Sequence, residues 1–294
     1  MTSALGKLVS FSSENGYKLH GIYFSEEYNN HTIIHVHGNF GNFYQNEFIS
    51  VMSKVYLSSG INLLSFNLTS HDGLAEGFKD GEFEYVGGAV SDFNECLNDI
   101  DAAICFAKKY VNHITLQGHS LGCDRIIYYL LKKGEKYNSI LLSPVDSNKV
   151  QEHWIGYKVA DQIKGLRMDK ENLNKKINWL PMDSYGAKGN NKEWIYQIPI
   201  CKSALTSILE GAAFKYLNLD LKPIFKIDAK CIVYCGVNDG LLTCTPSDMI
   251  SYLREKFTEI EEISYLKADH DLVGVEEIIA VEIVRTVKNW SNIV

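Results

Sequence analysis

The sequence predicts an α/β fold: a mostly parallel sheet with helices covering both of its faces. Two observations predict it. Short apolar runs with strand character alternate along the chain with longer segments of helical period, the signature of βαβ units. The strands are apolar on both sides, as strands covered above and below must be. With 294 residues the chain is long enough to bury a large core.

Lys7 to Phe11 and Tyr17 to Phe24 read as a hairpin closed by the Asn15-Gly16 turn. Thr32 to His37 is a buried strand ended by Gly38. Asn46 to Leu57 carries Phe48, Ile49, Met52, Val55 and Tyr56 at helical spacing, and Asn62 to Phe66 is the next strand. Ser91 to Tyr110 is a helix with Phe93, Cys96, Leu97, Ile100, Ala103, Ile104 and Ala107 on one stripe. A strand at Ile114 to Gln117 leads into a helix from Leu121 to Lys133, then a strand at Ser139 to Ser143. A long gap follows. After it come a strand at Cys231 to Cys235, a helix from Pro246 to Phe257, a strand at Ile263 to Leu266 and a last helix from Gly274 to Trp290.

The gap has a different texture. Pro144, Pro181, Pro199 and Pro223 lie in it or at its edge, with Trp154, Trp179 and Trp194. An aromatic-rich, irregular insertion between two sheet strands reads as a lid over a binding site. The division is therefore a core of residues 1–145 and 231–294 with a lid at 146–230. Trp154, Trp179 and Trp194, with Phe40, are the candidate substrate-binding residues.

The net charge is −7, and no dense Lys/Arg block occurs, which argues against nucleic acid or an anionic membrane as partner. The seven cysteines form no Cys-x-x-Cys pair, so neither a disulfide framework nor a structural zinc is expected. Cys231 and Cys235 read as core residues rather than metal ligands. No signal peptide and no membrane span are visible, and the expected location is the cytoplasm. Neither a phosphate loop nor a dinucleotide fingerprint appears, so no cofactor and no metal are expected. The sequence leaves the oligomeric state open.

Gly118-His119-Ser120-Leu121-Gly122 follows a strand and opens a helix. A turn this sharp strains the serine backbone, and the flanking glycines remove side chains that would clash. The serine oxygen then stands above the sheet at the positive end of a helix. His37-Gly38-Asn39-Phe40-Gly41-Asn42 ends an earlier strand. Its glycines let backbone amides approach a substrate, so Leu121 and Asn39 are the candidate oxyanion donors, with Phe40 in reserve. His37 reads as a hydrogen-bonding buttress of that turn.

A serine hydroxyl needs a base near neutral pH. His270, in Ala268-Asp269-His270-Asp271-Leu272, lies just past a late strand and so on the same sheet edge as Ser120. The base in turn needs an orienting carboxylate. Asp239 follows the strand at Cys231 to Cys235 on that edge. Asp146 is the alternative, and Asp269 and Asp271 are weaker ones.

The His-Gly turn, the Gly-His-Ser-Leu-Gly elbow, Asp239 and His270, in the order Ser, Asp, His, resemble the α/β-hydrolase superfamily over nearly the whole length outside the insertion. The His-Gly-Asn-Phe-Gly-Asn turn looks like that of serine esterases of the feruloyl-esterase and peptidase-like type. The resemblance implies an eight-stranded, mostly parallel sheet with an antiparallel second strand and a cap after the sixth. One departure stands out. Many relatives carry an Arg-Gly-His-Gly turn after the fourth strand, whereas this chain has Asn67 to Gly73 and then a glycine-rich, acidic stretch from Gly77 to Gly88. Whether that stretch shapes the pocket is open at this level.

The expected chemistry is hydrolysis of a carboxylic ester, thioester or amide through an acyl-enzyme, on a small-molecule acyl substrate that is apolar or aromatic. Acyl transfer and C–C bond hydrolysis would use the same residues, and a non-catalytic binding protein on the same fold is the remaining alternative.

Overall fold

The structure is a computed structural model, and it describes residues 4–145, 177–182, 196–211, 226–241 and 245–291. In chain order the strands are β1 (Gly6–Ser12), β2 (Lys18–Phe24), β3 (His31–Val36), β4 (Asn62–Phe66), β5 (Ala75–Lys79), β6 (Glu82–Val86), β7 (His113–His119), β8 (Ser139–Leu142), β9 (Ile177–Met182), β10 (Tyr196–Cys201), β11 (Ile227–Gly236) and β12 (Phe257–Leu266). The helices are α1 (Glu47–Ser58), α2 (Glu95–Ala107), α3 (Leu121–Lys133), α4 (Lys202–Gly211), α5 (Pro246–Lys256) and α6 (Glu276–Ser291).

Eight strands form the central sheet in the order β1-β2-β4-β3-β7-β8-β11-β12. From β4 to β12 every pairing is parallel, while β2 is antiparallel to both β1 and β4. The eight-stranded sheet with its reversed second strand is therefore present. The chain steps from β3 to β4 on one side and later returns to β7 on the other. β3 and β7 thus lie side by side at a topological switch point, with Val36 opposite Gly118. Two turns diverge from there and leave a crevice at the carboxyl edge, where open α/β sheets bind ligands.

Alternation along the strands divides the core. Ile33, Leu63, Ile140, Leu142 and Ile232 face α1 and α6, whose Phe48, Met52, Tyr56, Ile279, Ile283 and Val287 cover that side. Ile34, Leu64, Leu116, Leu141 and Val233 face α2, α3, α4 and α5. Cys231 and Cys235 are buried in this second cluster. Part of the insertion packs there too: Ile200, Cys201, Ala204, Leu205 and Ile208 join the cluster, and Ser207 Oγ accepts the Phe93 amide at 2.8 Å.

Several elements differ from the sequence expectation. The second long helix starts at Glu95, because Asp92 Oδ1 takes the Asn94 amide at 2.8 Å in a turn that precedes it. The glycine-rich stretch contains a hairpin, β5–β6, with Asp80-Gly81 at its tip and both residues at positive φ. β12 runs ten residues rather than four. It is an edge strand, and its exposed Glu259 and Glu261 mask the apolar alternation. Trp154, Trp194 and Asp146 lie outside the described residues. Trp179 lies on β9, of which only the backbone is described.

Candidate active site

β7 ends at His119, and Ser120 adopts φ 55° and ψ −126° before α3 begins at Leu121. No ordinary side chain prefers that conformation, and such strain persists only where the surroundings impose it. Here they do. The Ser120 amide donates to Leu142 O at 3.0 Å, and Ser120 O accepts the Cys123 amide at 2.9 Å. A Cβ at Gly118 would lie 2.7 Å from Cys123 N, and one at Gly122 would be driven into the carbonyls of Val36 and His37. Both glycines of the motif are therefore required by backbone crowding. Ser120 occupies the N-cap position, yet its side chain makes no capping hydrogen bond. Among the described residues the hydroxyl has no hydrogen-bond partner, and it stands at the N-terminus of a 13-residue helix.

His270 follows β12, and its Nδ1 lies 2.8 Å from Asp239 Oδ2. The Asp239 side chain is 1% exposed and that of His270 19%. Asp239 Oδ1 accepts the Leu241 amide at 2.7 Å, so each carboxylate oxygen has its own donor and Nδ1 must carry the proton toward Oδ2. That leaves Nε2 of His270 as the lone-pair nitrogen. Asp269 and Asp271 are engaged elsewhere: Asp269 Oδ1 accepts the Val273 amide and Asp271 Oδ1 accepts from Asn46 Nδ2.

The ring of His119, the residue before Ser120, lies 4.9 Å from that of His270, and His119 Nε2 donates to His270 O at 3.0 Å. The elbow and the histidine loop are thus joined directly, although the hydroxyl of Ser120 and the imidazole of His270 are not hydrogen-bonded to each other. In unliganded sites such bonds are often long and tighten only with substrate.

A Cβ at Gly38 would sit 3.0 Å from Ser120 Cβ. The turn after β3 therefore rests on the elbow. The amides of Asn39 and Leu121 donate to no described residue. Phe40 holds a φ of 52°, and its ring closes on Gly88. His37 is the buttress its position suggests: Nδ1 donates to Gly38 O at 2.9 Å and Nε2 accepts the Leu68 amide at 3.1 Å. The segment that departs from the common turn braces this one. Asp72 N donates to Gly41 O, and Asn42 Nδ2 donates to Asp72 Oδ1.

Sequence reasoning missed three residues here. His119 stands inside the Gly-His-Ser-Leu-Gly string, whose spacing assigns it no role. Arg125 is 2% exposed, and its guanidinium donates to His37 O, Gly38 O and Ser70 Oγ at 2.8, 3.0 and 2.9 Å. Asp99, wholly buried, accepts from the amide and hydroxyl of Thr69 at 2.7 and 2.8 Å. The one signal for Arg125 and Asp99 is charge on the buried stripes of α3 and α2. Burial draws Arg125 down to about 10, so it stays charged at neutral pH. Burial pushes Asp99 up to about 7.

Four buried histidines are held neutral by their burial. His31 is lowered to about 4 and His35 to about 3, while His37 and His119 lie well below 6.5. Each takes up a proton on unfolding once the pH is under about 6.5, so stability falls as the pH drops from there toward 4. Asp99 acts in the opposite sense: its contribution is full below the unfolded carboxylate value and is lost as the pH rises through about 7, which offsets one histidine. The four histidines outnumber the one opposing carboxyl, so the net effect is destabilising as the pH falls. Urea midpoints should therefore fall steeply between pH 6.5 and 4. A flat profile over that range would contradict the neutral, buried assignment.

Among the described residues, no group of three or more His, Cys, Asp or Glu is placed to hold a metal ion, and no helix is long and apolar enough to cross a membrane.

No family model matches the chain, and no curated protein matches it in sequence. Solved structures do match over nearly its whole length. Est1E from Butyrivibrio proteoclasticus is 14% identical with a TM-score of 0.62, covering 96% of this chain and 98% of that one. The esterase Pf2001 of Pyrococcus furiosus is 17% identical with a TM-score of 0.59, covering 97% and 91%. The mouse alpha/beta hydrolase domain-containing protein 10 is 14% identical with a TM-score of 0.64, covering 97% and 99%. With its reversed second strand, its strained elbow after β7 and these likenesses across nearly the full chain, the protein has the fold of the α/β-hydrolase superfamily.

Proposed function

We propose that the protein is a serine hydrolase that cleaves a carboxylic ester, thioester or amide of a small-molecule acyl substrate through an acyl-enzyme. The observation that carries this reading is the 2.8 Å contact between His270 Nδ1 and Asp239 Oδ2, set beside the elbow through His119. A surface histidine would need no buried carboxylate behind it. In the reaction, His270 Nε2 takes the Ser120 proton as Oγ attacks the carbonyl carbon, and Asp239 stabilises the imidazolium. The amides of Leu121 and Asn39 receive the oxyanion, and the proton passes to the leaving group. Water, activated by the same imidazole, then releases the acid.

Of the solved structures similar to this chain, Pf2001 is an esterase and Est1E has been seen with ferulic acid bound. That agrees with an apolar or aromatic acyl group here. Phe40, on the turn after β3 with its ring against Gly88, is proposed to meet it, and residues 146–230 are proposed to form the lid.

A fluorophosphonate probe should label Ser120 stoichiometrically. A panel of p-nitrophenyl esters of graded chain length, run beside an aryl amide and a thioester, should give turnover with at least one class. A protein that neither accepts the probe nor turns over any of the panel would leave only the binding-protein alternative.

A further inference from the structure

Gly38 O is the most heavily engaged carbonyl of the site. It accepts from Arg125 Nη1 at 3.0 Å, from His37 Nδ1 at 2.9 Å and from the Gly41 amide at 3.3 Å. The Gly38–Asn39 peptide is trans, as are all those described. In a trans peptide the C=O and the following N–H point in opposite directions across one rigid plane. Whatever holds Gly38 O therefore fixes where the Asn39 N–H points. The guanidinium holds it from the side of α3, so the Asn39 amide faces away from that helix, and it donates to no described residue.

Arg125 is also one turn along α3 from Leu121, whose amide is the other proposed oxyanion donor. The same Nη1 also donates to the neighbouring carbonyl, His37 O, and Nη2 donates to Ser70 Oγ in the turn after β4. A buried guanidinium is costly to desolvate, and a helix–turn packing contact needs only apolar groups. The fork geometry, with Nη1 shared between two successive carbonyls, instead specifies the orientation of two peptide planes.

We propose that Arg125 is a positioning residue for the oxyanion site: it ties the turn after β3 to α3 and so sets the Asn39 amide at a fixed spacing and direction from the Leu121 amide. The proposal rests on the serine-hydrolase reading and deepens it. Arg125 touches no substrate. It acts through a donor that matters only when charge develops on the carbonyl oxygen, so its loss weakens the transition state rather than substrate binding.

The test uses Arg125→Met and Arg125→Lys in the full chain, with melting temperatures recorded beside kinetics on the best substrate. Arg125→Met should lower kcat by about 10²-fold, the loss typical of one oxyanion donor, with KM within about threefold of wild type. Arg125→Lys keeps a donor for the two carbonyls and should recover at least about tenfold of that loss. A merely structural role would lower the melting temperature and leave kcat of the folded protein unmoved. A crystal structure of the wild-type protein phosphonylated at Ser120 supplies a second readout that does not depend on the variants folding. The phosphoryl oxygen should lie about 2.7–3.1 Å from both Asn39 N and Leu121 N. An adduct whose oxygen avoids Asn39 N overturns the proposal, as does a folded Arg125→Met with wild-type kcat, and both results leave the hydrolase reading standing. Failure of the probe to label Ser120 at all removes that reading instead.

Discussion

Ser120→Ala is expected to abolish turnover and probe labelling while leaving the melting temperature unchanged. The hydroxyl caps no helix and has no hydrogen-bond partner among the described residues, so the fold loses no contact with it. Alanine meets the same φ of 55° that serine does, so the strain of the elbow is neither added to nor relieved. The chemical loss is large by contrast. Without the nucleophile no acyl-enzyme forms, and what remains is whatever the amides of Leu121 and Asn39 do for direct attack by water. A fall in kcat of about 10⁶-fold is expected, with KM little altered. Steady-state kinetics and probe labelling on one preparation check it, with thermal melting as the control. Turnover near the wild-type rate would end the serine mechanism.

The second large effect is that of Asp239→Asn. Both carboxylate oxygens are spoken for, one by the Leu241 amide and one by His270 Nδ1. The amide of an asparagine can satisfy both positions in one way only: its oxygen must accept from Leu241 N, which turns its NH₂ toward His270. Nδ1 must then become the acceptor, the proton moves to Nε2, and the nitrogen that faces the crevice no longer has a lone pair to offer. The side chain is isosteric and the hydrogen bonds are conserved, so the fold should be unaffected, but kcat should fall by about 10⁴-fold. Asp239→Ala should lower it as well and should also destabilise, since it strands the Leu241 amide in a buried position. An Asp239→Asn protein with normal kcat would transfer the orienting role to another carboxylate.

Much of this was legible before any coordinates. β4 and α3 were read to the residue, because Asn62 to Phe66 is an unbroken buried run and α3 is bounded by an elbow at one end and Gly134 in a left-handed conformation at the other. Ser120, Asp239 and His270 were picked out because each follows a strand, and parallel strands bring such positions to one edge. The β5–β6 hairpin was missed for a physical reason. Its Phe78, Phe83 and Tyr85 are exposed and its alternating glutamates blur the two-residue period, so no buried face betrays it. Arg125, Asp99 and His119 were missed because their roles are set by partners distant in sequence. Nothing local to Arg125 announces that it will meet His37 O, 88 positions earlier. Hydrophobic period reports which face of a helix is covered, and says nothing about which backbone carbonyl waits beneath it.

The direct bond between His119 and the carbonyl of His270 has a consequence for how damage spreads. Ser120 and His270, the proposed nucleophile and base, sit at the two ends of one short mechanical linkage, a ring contact of 4.9 Å and a single hydrogen bond. A distortion that drags the late loop outward therefore pulls on the residue next to Ser120, and a shift of the elbow tugs the imidazole with it. Wear at this edge is shared between partners, so the pair tends to stay in register or to be lost together.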